Sequence, residues 1–237
     1  MLYNFNNNMT IVAINQPGYL PWMGFFKRIM YSDIFVFLDN VQYLKKDWQN
    51  RNKIRTNQDW IWLSVPVKKN NFENLNKVEI DYSENWSAMH KKSIKYNYSK
   101  SEFFDDYWPF FDQLFEKKFS RLIDLNMEII NFVIDVLGIK TKTILASELT
   151  VEGKKSDLNL SICKTLNADV YLSGTLGADY IQVDDFQNNN IKVEFADYQH
   201  PIYPQCFDPF VPNMAIIDLL FNCGKESQKI LQDSKII

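Results

Sequence analysis

Soft metal ligands are scarce in this 237-residue chain, which holds three cysteines and two histidines. Neither H-E-x-x-H nor C-x-x-C occurs, so a zinc centre built on a recognised spacing is excluded. Any disulfide scheme leaves one of Cys163, Cys206 and Cys223 without a mate, and three thiols cannot scaffold a chain of this length. A reducing compartment, the cytoplasm, is expected. The nucleophile elbow G-x-S-x-G, the dinucleotide fingerprint and the G-K-[ST] ending of a P-loop are all missing. No apolar run approaches the roughly 20 residues that span a bilayer. The start MLYNFNNNMT carries no cationic segment ahead of an apolar one, so neither a signal peptide nor a membrane span is expected. A basic excess is also absent: 26 Lys and Arg face 29 Asp and Glu, a formal charge of −3, which disfavours a nucleic-acid partner. The adjacent pairs Asp105–Asp106 and Asp184–Asp185 diverge on a helix, so they make no acid/base carboxylate pair. No repeat of 20 to 50 residues marks a solenoid.

Apolar side chains are abundant. They make up 46% of the chain and aromatics 15%, enough for a sizeable core in a single α/β domain spanning 1–237. The Asn tract in residues 1–8 reads as a fraying tail. TIVAI reads as a buried strand, WMGFFKRIMYSD as a helix and DIFVFLD as a second strand, a βαβ unit with a right-handed crossover. Residues 40–60 form a polar, aromatic-dotted connection to the strand WIWLSVPV, with VEIDY paired beside it. Helical patterns cover 84–100, 102–119 and 120–137, and Gly138 stands where a helix stops. The last hundred residues alternate: strand TKTILAS, helix SDLNLSICKTLN, strand ADVYLSG, helix ADYIQVDDFQNNN, strand IKVEFADY and helix NMAIIDLLFNCG. This alternation predicts a doubly wound, mainly parallel, Rossmann-like sheet, with the helices of 84–137 inserted or packed on one face.

In such sheets ligands gather beyond the carboxyl ends of the strands, which singles out four connections. In 15–22, Pro and Gly fix a sharp turn that holds Asn15, Gln16, Tyr19 and Trp22 before a helix start; a plain strand-to-helix turn is the competing reading. In 39–55, Asp39, Gln42, Trp48, Arg51, Asn52 and Lys53 combine forked cations, amides and aromatics suited to a pyrophosphate and a ring, or form a solvated loop. In 173–180, Ser173, Gly174, Gly177 and Tyr180 let backbone approach a ligand, or make a glycine turn. In 197–210, His200, Tyr203 and Gln205 lie in a proline-stiffened loop. There His200 is a candidate base or a structural hydrogen-bonder, and Cys206 a nucleophile only if its pKa is lowered. The cationic face of HKKSIKYNYSK is a solvated surface or a dock for an acidic carrier protein.

The blocks NQPGYLPWMGFFKRI, SDIFVFLDNVQY, WQNRNKI, WLSVPV, YLSGTLGADYI, HPIYPQ and FVPNMAIIDLLFNCG resemble the WbqC-like family, encoded among bacterial O-antigen and surface-polysaccharide genes. The resemblance runs from Met9 to Gly224. It implies a bacterial transferase of lipopolysaccharide or O-antigen synthesis, acting on a nucleotide-linked deoxyamino sugar by acyl or aminoacyl transfer, with no cofactor assigned. An acyl donor or carrier protein is the implied second partner. The family's usual His-Gln-Pro is Asn15-Gln16-Pro17 here, which moves proton transfer to His200 or impairs this member. Two further readings stay open: an ATP-dependent adenylating enzyme of the nucleotidyltransferase-like group, and a non-catalytic partner of glycan enzymes.

Overall fold

Runs of consecutive apolar residues give the inner strands apolar side chains on both faces, and the chain folds by burying both. The computed structural model describes residues 9–68 and 74–236; the expected tail, 1–8, lies outside the described residues. Five strands form a central sheet: β1 (Ile11–Asn15), β2 (Ile34–Phe37), β5 (Lys142–Leu145), β6 (Val170–Gly174) and β7 (Lys192–Ala196). Their order is β5-β2-β1-β6-β7, and every pairing is parallel. This is the expected doubly wound α/β architecture. The chain winds outward from β1 through β2 to β5, then returns to the far side for β6 and β7, so the direction switches between β1 and β6.

Because side chains alternate along a strand, Ala13, Phe35, Phe37 and Leu172 face one way. They pack on α1 (Met23–Tyr31), the end of α4 (Leu122–Val136), α7 (Ile216–Cys223) and α8 (Glu226–Asp233). Val12, Ile14, Val36 and Tyr171 face the other way, against α5 (Ser156–Thr165) and α6 (Val183–Gln187). A third core joins α2 (Trp86–Tyr98), α3 (Phe104–Glu116) and α4 to an antiparallel hairpin of β3 (Arg51–Arg55) and β4 (Trp60–Ser64). The 84–137 segment is thus three helices packed under the hairpin and the β1–α1 turn.

Three expectations change. The polar stretch 40–60 contains a strand, β3, whose buried Asn52, Ile54 and Arg55 are stabilised by pairing with β4 and packing on the helices. The expected helix 178–190 is a 3-10 turn, Thr175–Asp179, followed by the short α6. Within that turn Gly177 packs so closely on Ser173 that a Cβ would lie 1.9 Å from its Oγ. The helix expected over 213–224 begins only at Ile216 and ends as expected at Gly224, whose φ of +53° favours glycine, but it is not the closing one, because α8 follows. The two-residue strands β8 (Tyr198–Gln199) and β9 (Lys235–Ile236) then pair the chain end to the segment after β7.

Candidate functional site

The registered pairing of β1 with β6 ends at Ala13 and Leu172, although β1 continues to Asn15 and β6 to Gly174. The outer pairings run on, Asn15 with Phe37 and Gly174 with Ala196, so the two halves of the sheet part at the switch point. Arg28 of α1 enters this gap. Its Nη2 donates to the carbonyls of Ile14 (2.8 Å) and Leu172 (3.4 Å), one from each half. Its Nε is sealed from solvent without a partner, and no carboxylate lies within ion-pair distance among the described residues. Burial lowers the guanidinium pKa, and the hydroxyl-bearing rings of Tyr171 and Tyr180 are close enough to influence its charge.

The first two connections interlock beside this gap. Tyr19 N donates to Trp48 O (3.0 Å), Gln49 Nε2 donates to Gln16 Oε1, and buried Asn52 donates to Leu20 O (2.6 Å). At Gly18 a Cβ would stand 3.0 Å from Trp48 O, so the close approach needs glycine. From below, the fully buried Asn126 of α4 donates to Pro17 O (3.1 Å) and Gln49 O (2.8 Å), tying both connections to one helix. Asn15 Oδ1 accepts from Gln16 N. Asp39 is buried and accepts from Ser147 N and Asn76 Nδ2; Gln42 is exposed and bridges to Asn74. Tyr19 is buried too, its hydroxyl 2.9 Å from His90 Nδ1.

The hairpin cations sit on aromatic faces. The Arg51 guanidinium lies 4.1 Å over the Trp62 ring, and Lys53 Nζ lies 4.1 Å over Trp60, attractive contacts with the ring quadrupoles. Trp48, 46% exposed, packs on Trp62 at the edge of this group. Ser173 is buried with its hydroxyl on Gly174 O, Gly177 is buried against it, and Tyr180 is 45% exposed.

His200 lies in an aromatic enclosure formed by Trp22, Tyr198, Tyr203 and Phe210, its ring nearly parallel to the Trp22 indole at 6.5 Å. Nδ1 is 2.8 Å from Pro201 O. A carbonyl only accepts, so Nδ1 carries the proton and Nε2, buried without a partner, keeps its lone pair. Burial lowers the His200 pKa despite the Pro201 contact. A cleft of about 410 Å³ is lined by Tyr203, Gln205, Phe207 and Phe210 among others; Tyr203 and Phe210 stand between it and the His200 ring, which is not part of the lining.

The cleft floor is anchored on Asp218 of α7, which is fully buried. Its carboxylate accepts from Tyr98 and Tyr203 hydroxyls and from Gln205 Nε2 at 2.8–2.9 Å. Burial nevertheless raises its pKa, the hydrogen bonds and nearby Arg55 opposing. Arg55 donates to Asp59 O and Pro209 O, fixing the same loop. Burial also pushes the Cys206 thiol up, so the condition for a nucleophile is not met.

Asn15 and Gly174 therefore stand at the strand ends by the switch point, and Gln16, Trp48 and Asn52 belong to the interlocked first and second connections, while Trp22, His200 and Tyr203 form a separate aromatic group next to Gln205. Arg51 and Lys53 belong to the outer hairpin. Sequence reasoning missed Arg28, Asn126 and Asp218. All three carry the same signal, a polar residue inside an apolar helical stripe: Arg28 beside Phe25 and Ile29, Asn126 between Leu122 and Ile129, Asp218 within AIIDLLF. Among the described residues no group of three or more His, Cys, Asp or Glu could hold a metal ion, and no helix is long and apolar enough to cross a membrane.

The model of the WbqC-like protein family matches residues 16–230. A curated relative, the uncharacterized protein Rv1507c of Mycobacterium tuberculosis, is 31% identical over 227 residues, covering 94% of this chain and 98% of its own length. No solved structure matches.

Proposed function

Because this chain belongs to the WbqC-like protein family, a membership that suggests a role in polysaccharide biosynthesis, we propose that it is a transferase modifying a nucleotide-linked deoxyamino sugar by acyl or aminoacyl transfer. The observation that carries the chemistry is His200. Its Nδ1 proton is committed to Pro201 O, and its Nε2, buried without a partner, stands in an aromatic enclosure whose Tyr203 and Phe210 also line the cleft. A neutral imidazole with its lone pair on Nε2 can accept a proton. The sugar amine attacks the donor's acyl carbon, Nε2 takes the amine proton, and the same proton passes to the departing group as its bond to the acyl carbon breaks. Trp22 and Tyr203 supply flat faces for the sugar ring. Asn15 acts as a hydrogen-bonder, which leaves proton transfer to His200.

Calorimetry against dTDP-, UDP- and GDP-linked amino sugars tests the substrate class; binding of at least one is expected, and silence across the panel would reject it. His200→Gln is expected to keep that binding while turnover falls at least about 100-fold. Pyrophosphate release with small carboxylic acids or amino acids would replace simple transfer by adenylation.

A further inference from the structure

We infer that Arg28 is the receptor for a phosphoryl group, and that the parted edge between β1 and β6 is a binding site for the diphosphate of a nucleotide. The phosphoryl site rests on its own geometry; its assignment to a nucleotide diphosphate rests on the transferase reading above.

A guanidinium taken partly out of water is ordinarily matched by a carboxylate, and Arg28 has none among the described residues. Its bonds to Ile14 O and Leu172 O satisfy one nitrogen's donors and leave the charge uncompensated. They also orient the planar fork, since Nη2 is held by both sheet halves. Nη1 lies on the Gly174 side, where a Cβ would stand 3.1 Å away. Glycine at this strand end keeps open the space through which an anion reaches the fork. Neutral polar groups belong to the same strand ends: Asn15 closes β1, Ser173 precedes Gly174, and the rings of Tyr171 and Tyr180 are close enough to influence the charge. The location is where open parallel sheets bind ligands, beyond the strand ends at the reversal of winding order. Nη1, the one guanidinium nitrogen that is neither bonded to a carbonyl nor sealed from solvent, is left to donate to phosphoryl oxygens. Arg51 and Lys53, the cations that motif reasoning favours, instead have aromatic faces as partners.

The test is calorimetry of the full chain with inorganic pyrophosphate, UDP and acetate. Pyrophosphate and UDP are expected to bind wild type at least tenfold more tightly than acetate. Arg28→Lys, which keeps the charge and loses the fork, is expected to weaken both at least tenfold. Should that variant fail to fold, Gly174→Ala decides the matter. Gly174 has an ordinary extended backbone, φ −75°, so its alanine variant is expected to melt close to wild type while losing at least tenfold in pyrophosphate affinity. Folded Gly174→Ala with undiminished affinity, acetate binding as well as pyrophosphate, or no pyrophosphate binding to wild type would each overturn the inference. If pyrophosphate binds and no amino-sugar nucleotide does, the transferase reading falls and the phosphoryl site stands. If an amino-sugar nucleotide binds wild type and Gly174→Ala equally, the phosphoryl site falls and the transferase reading stands.

Discussion

Lowering the pH from 6.5 to 4 is expected to remove stability through one side chain, His90. The imidazole is 5% exposed, accepts from the Tyr19 hydroxyl at 2.9 Å, and is edged by Trp86 and Phe115. Burial depresses its pKa from 6.5 to about 4, with a Ser64 backbone hydrogen bond opposing. In the native state the ring stays neutral down to about that pH, whereas the unfolded chain takes up a proton near 6.5. Between these values the unfolded state holds more protons, so stability rises with pH across the window and is lost as pH falls through it. At about 1.36 kcal/mol per pKa unit, the shift corresponds to roughly 3 kcal/mol. For a chain of this size that is about 6–12 °C in melting temperature. Carboxylates also titrate below pH 5, so the experiment is a difference: urea unfolding of wild type and His90→Phe at pH 7.5, 6, 5 and 4. The variant loses the Tyr19 contact at every pH and starts less stable. The gap between the two proteins should narrow by roughly 3 kcal/mol from pH 7.5 to pH 4. A gap constant to within about 0.5 kcal/mol would refute a buried neutral imidazole, that margin being the usual scatter of well-separated effects.

Three further outcomes follow from single positions. Asn126→Leu leaves two buried backbone carbonyls without donors and should cost about 2 kcal/mol in chemical denaturation; amide exchange should speed up in 16–19 and 47–50 while α4 stays protected. Asp218→Ala strands the donors of Tyr98, Tyr203 and Gln205 beside the buried Arg55, and a loss of about 3–5 kcal/mol is expected by denaturation, with Asp218→Asn much milder. Gly24→Ala places a Cβ 2.4 Å from the Trp22 indole, so the ring must leave His200. The measurable result is an altered Trp22 fluorescence environment and at least tenfold weaker binding of the amino-sugar nucleotide, despite the roughly 1 kcal/mol that alanine adds to a helix interior.

The winding of the sheet was legible because each strand is a short apolar run separated by a helix-period segment, and a parallel sheet buried on both faces requires that pattern. The strand β3 was not legible. Its sequence RNKIR has only one apolar residue, and the burial of Asn52 and Arg55 depends on partners far along the chain, Leu20 O and Pro209 O. Helix α8 was hidden for a related reason: its amphipathic stripe is narrow, with Ser227 and Leu231 the buried positions. At the candidate site, turn chemistry pointed to residues 15–22 and 197–210 because Pro and Gly in the first and Pro in the second mark sharp connections. Arg28, Asn126 and Asp218 stayed unseen because their meaning lies in what they meet, which periodicity does not report.

Consecutive residues of α1 also serve two separate parts of the fold. Lys27 Nζ donates to the carbonyls of Leu231 and Gln232, where α8 ends, while Arg28 reaches into the parting of the sheet. One helical turn therefore acts as a yoke between the carboxyl terminus and the seam. Trimming the chain before Leu231 would release one arm of that yoke, leaving Lys27 buried without its acceptors, and the disturbance would be transmitted along a single peptide link to the other arm.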